Sequence, residues 1–317
     1  MASLREVSVS NPVSDAVVEE LYRAAPILDD IEFYTQDGGA PLIKTGREPD
    51  SGEVGFRALN EDQVATGPTR PEVPQPKKIL GFEAKVDRVL EDRNEDVEAE
   101  LEQETRLKAQ ESGFILQEKI FDGNSATNAK EFDGMRVLAA AEKVITPADP
   151  VVFELGGDDK LLSQQVAFET LMNFMARIPA GATHVYVNAN LLNRLIIIAK
   201  HLGYYRMSKD ELGNQIDMIG DVVVRSAGRK YNGDALLPFD QTVGANNDTG
   251  DIVAVRHGEK RWLTALTSKG VNAEFEGLRG KFYVNTIDLD MTLVLQHDAA
   301  LWVLKNVRMP ALNEPAA

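Results

Sequence analysis

The sequence predicts an α+β protein in which an arm and a long irregular excursion precede a body of helices and strands. A long charge-rich helical stretch follows the excursion, helices and strands alternate from Thr146 onward, and the last third is rich in strand-like runs. The chain has 317 residues, 43% hydrophobic and 26% charged, enough for one large core or two smaller ones. It has no cysteine, which excludes a disulfide scaffold and a thiolate zinc site.

Taken in order, residues 1–35 read as an arm. Ser14 is placed to cap a short helix through Val17, Val18, Leu21 and Tyr22, and Pro26 stops it. From residue 36 to 80, glycines and prolines separate short apolar pairs such as Leu42-Ile43, which no helix tolerates. So long a stretch is too long for an ordinary loop. A protruding, partly β-hairpin arm returning near Ile79 to Val86 fits it, and a disordered linker is the other reading. Asp87 to Lys119 reads as a long helix with a thin apolar stripe of Val89, Val97, Leu101, Leu107 and Ile115, the rest crowded with glutamates. Beyond it, Leu161, Phe168, Leu171, Met172 and Met175 mark a helix. Thr183–Asn188 reads as a strand, Leu191–Lys200 as a helix and Asp221–Arg225 as a strand. A polar excursion, Lys230–Asp251, follows. Strands are expected at Ile252–Val255, Trp262–Leu266, Lys281–Ile287 and Met291–Gln296, with Ala299–Val307 returning to the core.

Residues 1–15 lack the basic head and apolar core of a secretory signal, so none is expected. The most apolar stretch, Leu191 to Ala199, is short and holds Arg194, against the ~20 apolar residues of a membrane span, and no membrane partner is expected. Net charge is −16, and residues 1–160 carry all of it, with 18 basic against 34 acidic side chains. That surplus argues against a sequence-reading nucleic-acid binder, which presents a basic face to phosphates; general solubility is the simpler reading of an acidic surface.

Catalytic signatures are missing. The sequence has no GxSxG elbow, HExxH pair, Walker loop, GxGxxG fingerprint or EF-hand loop. Gly277-Leu278-Arg279-Gly280-Lys281 lacks the hydroxyl residue of a phosphate loop. Asp122-Gly123-Asn124-Ser125 starts like a calcium loop but meets Ala126 and Asp133 where ligands belong. His184, His201, His257 and His297 lie apart, each with an ordinary structural role available, and no spacing marks a metal trio. Asp288 and Asp290 would share one face of a strand, most simply its solvated face. No catalytic residue, cofactor or metal is expected.

After the long helix stands Phe121-Asp122-Gly123-Asn124-Ser125-Ala126, then Glu131-Phe132-Asp133-Gly134-Met135. This pair resembles the "G-N/D-S-A … E-F-D-G-L" segment of the major capsid proteins of tailed bacteriophages, the Hong Kong-type fold, with Met135 in place of leucine. The motif residues are Phe121, Gly123, Asn124, Phe132, Asp133 and Gly134, and the order of later elements agrees over nearly the whole chain. The resemblance implies an N-terminal arm (1–35), an extended β-hairpin loop (36–82), a peripheral domain with a long spine helix (83–150), an axial α/β domain (151–254) and a return to the peripheral domain (255–317).

It also implies a structural subunit without enzymatic activity, forming hexamers and pentamers of an icosahedral head around double-stranded DNA. The chain would assemble in the host cytoplasm and reside in the virion capsid. Its partners would be itself, portal and scaffolding or decoration proteins, and DNA met non-specifically by an acidic inner wall. An encapsulin-like nanocompartment shell and a soluble enzyme are the alternatives. On charge, Arg70, Lys77 and Lys78 are expected to meet acidic side chains of a neighbouring copy, with Glu100 and Glu104 of the spine helix as candidates. Some family members crosslink through lysine and asparagine; Lys44, Lys77, Lys78 and Asn306 qualify by residue type alone.

Overall fold

A capping box opens the chain. Ser3 and Glu6 exchange hydrogen bonds at the start of α1 (Leu4–Val7) in the computed structural model, which describes residues 3–35, 42–46, 56–60, 62, 72–93, 96–156, 160–209, 215–258 and 261–310. α2 (Pro12–Ala24) is capped by Asn11, three residues before the expected cap. The Asn11 side chain accepts from the Ser14 amide, and Pro12 takes the first helical position, where a missing N–H costs nothing. Ser14 is instead buried inside the helix, its hydroxyl accepting from the Ala273 amide. Pro26 ends the helix as expected. Val17, Val18, Leu21, Ile27 and Leu28 are buried in the main core, so the arm docks on its own chain before β1 (Phe33–Thr35).

The glycine- and proline-rich stretch contains a hairpin. β2 (Leu42–Gly46) and β3 (Glu72–Pro76) pair antiparallel, and among the described residues no third strand joins them. After Lys77, β4 (Lys78–Asp87) enters a larger sheet.

The long helix starts later than its charge pattern suggested. A short turn, α3 (Val89–Asp92), comes first. Asp96 then accepts from the Glu98 and Ala99 amides and starts α4 (Val97–Asp122), 26 residues or ~39 Å long. Its buried face is not the expected stripe. Leu101 is buried, but Leu107, Ile115 and Val89 are exposed, and the packing face runs through Thr105, Ala109, Ser112, Gly113, Leu116, Gln117, Ile120 and Phe121. Small residues replace large ones because α2 comes very close. A Cβ at Gly113 would lie 2.6 Å from the Ala24 Cβ and 3.3 Å from the Leu21 carbonyl oxygen.

α5 (Met135–Leu138), β5 (Val144–Ile145) and β6 (Val151–Val152) lead to α6 (Leu161–Met175) and β7 (His184–Val187). α7 (Ala189–Leu202) is capped by the Asn188 side chain and closed by Gly203, whose φ of 78° suits glycine. β8 (Tyr205–Lys209), β9 (Gln215–Ile219) and β10 (Val222–Ser226) follow. The polar excursion then holds β11 (Gln241–Val243), the first half of β12 (Asn246–Val255) and the buried Leu236 and Leu237.

The C-terminal strands are longer and fewer than expected. β13 (Leu263–Arg279) runs 17 residues and β14 (Phe282–Leu295) runs 14, forming one hairpin, before β15 (Leu301–Arg308). Gly270 and Gly277, at φ 65° and 76°, sit at shifts of register inside β13, so the strand expected over Trp262–Leu266 continues through two bulges. Asp288 is solvent-exposed as expected. Asp290 is not idle: its carboxylate accepts from the Thr267 hydroxyl and the Ser268 amide and ties down the first bulge, while Thr292 is buried.

Two large sheets result. One is ordered β1-β13-β14-β4. The other has nine strands, its main path β5-β15-β12-β7-β10-β9-β8. Residues 255–317 therefore divide: β13 and β14 belong to the four-stranded sheet and β15 to the nine-stranded one. The middle of the larger sheet is buried on both faces. Val185, Val187, Ile252, Ala254, Trp302 and Leu304 face a core filled by α6 and α7. Tyr186, Val253, Val255, Leu301 and Val303 face the core built by α4, the arm and the smaller sheet.

Because α2 and α4 touch backbone to backbone at Gly113, Gly113→Leu is expected to destabilise the chain by about 1–3 kcal/mol. It is also expected to expose residues 12–24 to limited proteolysis. Denaturant midpoints and cleavage mapping of the two proteins check this.

Candidate functional site

The capsid-like motif forms a corner that ties the end of α4 to the rest of the body. The Gly123 amide caps α4 on the Lys119 carbonyl, and the Gly134 amide donates to the Gly123 carbonyl at 2.8 Å. Asn124 accepts from the Ala126 amide through its side chain, an Asx turn, and Asp133 accepts from the Ser125 amide at 2.8 Å. Phe121 and Phe132 are buried beneath. The Glu131 carboxyl lies below the usual carboxylate range: partial burial raises it, and the Lys119 ammonium at 3.0 Å and the Asn128 amide outweigh that. Both glycines are required by crowding. A Cβ on Gly134 would sit 2.6 Å from the Lys119 oxygen and 2.7 Å from the Gly123 nitrogen.

One step further, Arg136 pairs with Asp122 at 2.9 Å and with the fully buried Asp251 on β12 at 2.8 Å, so the corner is bolted to the nine-stranded sheet. Removing Arg136 would strand the buried charge of Asp251. A 270 Å³ pocket lies here, lined by Asp122, Arg136, Val137, Val144, Val303 and Lys305. Its arginine is engaged by two carboxylates, and no nucleophile–base pair converges on it. Among the described residues no cluster of His, Asp and Glu is arranged to hold a metal ion.

The residues expected to form contacts between copies fall in separate places. Arg70 lies outside the described residues. Lys77 donates to the Ser268 hydroxyl at 2.6 Å and Lys78 to the Ala129 carbonyl at 2.5 Å, so both are engaged by their own chain where the two-stranded excursion meets the body. Glu100 is exposed in the first turn of α4, beside exposed Glu98 and Glu102. Glu104 pairs with Lys108, which also donates to the Glu83 carbonyl. Along β4, Lys78 and Glu83 are five residues apart, ~17 Å, so Lys78 stands well away from Lys108, the partner of Glu104. Asn306 is fully buried in a left-handed conformation, its amide donating to the Pro147 carbonyl.

A further cluster was not foreseen. His184 and His257, remote in sequence, come within 5.2 Å ring to ring, with Tyr186 of the same strand as His184 and Asp30 of the arm beside them. The only trace in the sequence is the alternation His184-Val185-Tyr186-Val187, which puts a histidine and a tyrosine on one face of a strand. His201 approaches Gln164 and His297 accepts from the Ala299 amide, the ordinary structural roles expected.

No family model matches the sequence, and no curated protein matches it. Solved structures do. The holo-SrpI encapsulin complex from Synechococcus elongatus PCC 7942 aligns at 12% identity over 92% of this chain and 89% of that one, with a TM-score of 0.62. The capsid of the native GTA particle aligns at 14% identity over 95% and 92%, TM-score 0.53. The cyanophage A-1(L) capsid aligns at 10% identity over 89% and 93%, TM-score 0.53. At these identities the likeness establishes the fold: an α+β, Hong Kong-type capsid fold.

With backbone atoms on both sides of Gly134, Gly134→Ala is expected to lower unfolding stability by about 1–3 kcal/mol. Chemical denaturation checks it; an unchanged midpoint would remove the corner from the account.

Proposed function

We propose that this chain is a non-enzymatic structural subunit that assembles with copies of itself, as hexamers and pentamers, into an icosahedral head shell enclosing double-stranded DNA. The observation that carries the reading is the excursion. β2 and β3 pair only with each other among the described residues, and an isolated two-stranded hairpin is marginal in water. A neighbouring copy supplies the surface it lacks, and many such weak contacts close a shell through effective concentration. The match of this chain, nearly end to end, to capsid and encapsulin folds supports the same reading.

Within the shell, the exposed Glu98, Glu100 and Glu102 surround the start of α4 with acidic side chains. Glu100 and Glu104 are offered to basic residues of a neighbouring excursion, Arg70 among them, while Lys77 and Lys78 fix the base from which that excursion leaves the body. Acidic surface turned inward repels packaged DNA and keeps it from adhering. Portal and scaffolding or decoration proteins complete the particle, built in the host cytoplasm. The encapsulin-like compartment is the second reading, favoured by the TM-score of 0.62 to the SrpI shell.

Expression of the chain, alone and with its genomic neighbours, followed by sedimentation and negative-stain imaging, is expected to give closed particles on the order of tens of nanometres across. Nucleic acid inside supports the head, protein cargo supports the compartment, and a discrete small oligomer contradicts both. Charge reversal at Lys77 and Lys78 together is expected to cut particle yield at least ~10-fold, the worth of about 1.4 kcal/mol, with far-UV circular dichroism of the subunit unchanged. Unaltered yield would contradict their role.

A further inference from the structure

The unforeseen polar cluster lies where the chain crosses between the two sheets. Asp30 stands just before β1 of the four-stranded sheet, and His257 lies on the connection from β12 to β13. His184 and Tyr186 on β7 and Arg225 on β10 belong to the nine-stranded sheet. The Asp30 carboxylate is 3% exposed and accepts from three donors: the Tyr186 hydroxyl at 3.0 Å, Arg225 Nη1 at 3.1 Å and His184 Nε2 at 3.3 Å.

Tyr186 Oη also lies 3.0 Å from His257 Nε2. A phenol has one proton, and it goes to Asp30. The tyrosine oxygen therefore accepts from His257, which fixes the histidine tautomer with its hydrogen on Nε2. The result is a one-way chain from His257 through Tyr186 to Asp30. Thr183 adds a brace, accepting the His257 amide at 3.0 Å. Arg256 turns away, donating to the Ala180 and Gly181 carbonyls.

Charge in this site balances only in one state. Asp30 is matched by Arg225, so a proton added to His257 puts an unmatched charge in the buried part of the site. His257 is 7% exposed, so a charge added to its ring has no route to water.

We propose that Asp30, His184, Tyr186, Arg225 and His257 form a proton-sensitive lock on the junction between the two sheets, closed while His257 is neutral and opened when it is protonated. Burial pushes His257 down to about 3, the adjacent His184 adds to that, and Asp30 and the Leu263 backbone oppose it. Tyr186 is pushed well above the usual phenol range, first by burial and then by Asp30, so it remains a donor. An opened junction returns His257 to an ordinary value near 6.5, so it takes up a proton that the closed form refuses. The closed form thus has its full advantage above pH ~6.5 and loses it about tenfold per pH unit below that, down to about 3.

The test is hydrogen–deuterium exchange of the full chain between pH 7.5 and 4.5, corrected for intrinsic exchange, on peptides covering residues 25–35 and 256–263. Because opening is read within one chain, the outcome is independent of whether the subunit forms shells. Wild type is expected to open about tenfold more per pH unit below pH ~6. His257→Gln keeps a neutral amide donor and is expected to flatten that slope, whereas His184→Gln is expected to retain it. Tyr186→Phe is expected to raise exchange of both segments about tenfold at pH 7.5, by breaking the chain of bonds without emptying the core. A flat wild-type profile, a slope abolished by His184→Gln but not by His257→Gln, or unchanged exchange in Tyr186→Phe would each overturn the lock.

Discussion

Burial of the central strands on both faces is the constraint from which the rest of the architecture follows. β7, β12 and β15 alternate their side chains between two cores, so no residue of Tyr186-Val187 or Ile252–Val255 has a wet side to turn to. A sheet in that position needs cover above and below. α6 and α7 supply one cover. The other is composite, made of α4, the docked arm and the smaller sheet, and it is held in place by the glycine corner at residues 123 and 134 and the buried Arg136–Asp251 pair. The arm is therefore part of the subunit's own core, although its sequence looks like an appendage.

Much of this was legible in the sequence. Amphipathic spacing marks α6 and α7, the Thr183–Asn188 run marks β7, and the two short motifs that flank residues 127–130 mark the corner. Three things were hidden, each for a physical reason. The packing face of α4 was misjudged because close helix contact selects Ala109 and Gly113 over Leu107 and Ile115, and pattern reading weighs size. The length of β13 beyond Leu266 was hidden because its continuation passes through bulges at Gly270 and Gly277, and glycine marks a bulge and a turn alike. The Asp30–Tyr186–His257 cluster was invisible because its members are separated by 156 and 71 positions and meet only after both crossings between the sheets are made.

The proposed function rests on what the chain leaves unfinished. Among the described residues, the corner and the pocket beside it are held by the Gly123–Gly134 bond and the Arg136 ion pairs, and the histidines by contacts within the fold. What remains open is the two-stranded excursion, rooted at Lys77 and Lys78, and the acidic outer face of α4. Under the proposed function, the excursion, whose two described strands pair only with each other among the described residues, is the part that a neighbouring copy would cover, and the Hong Kong-type fold gives that association a geometry.

The most direct measurement is a cryo-electron microscopy reconstruction of particles purified from cells expressing the chain, resolved well enough to trace β2 and β3. The account predicts that these strands lie across an adjacent subunit of a closed shell. Strands folded back on their own body, in a particle that is not closed, would contradict it.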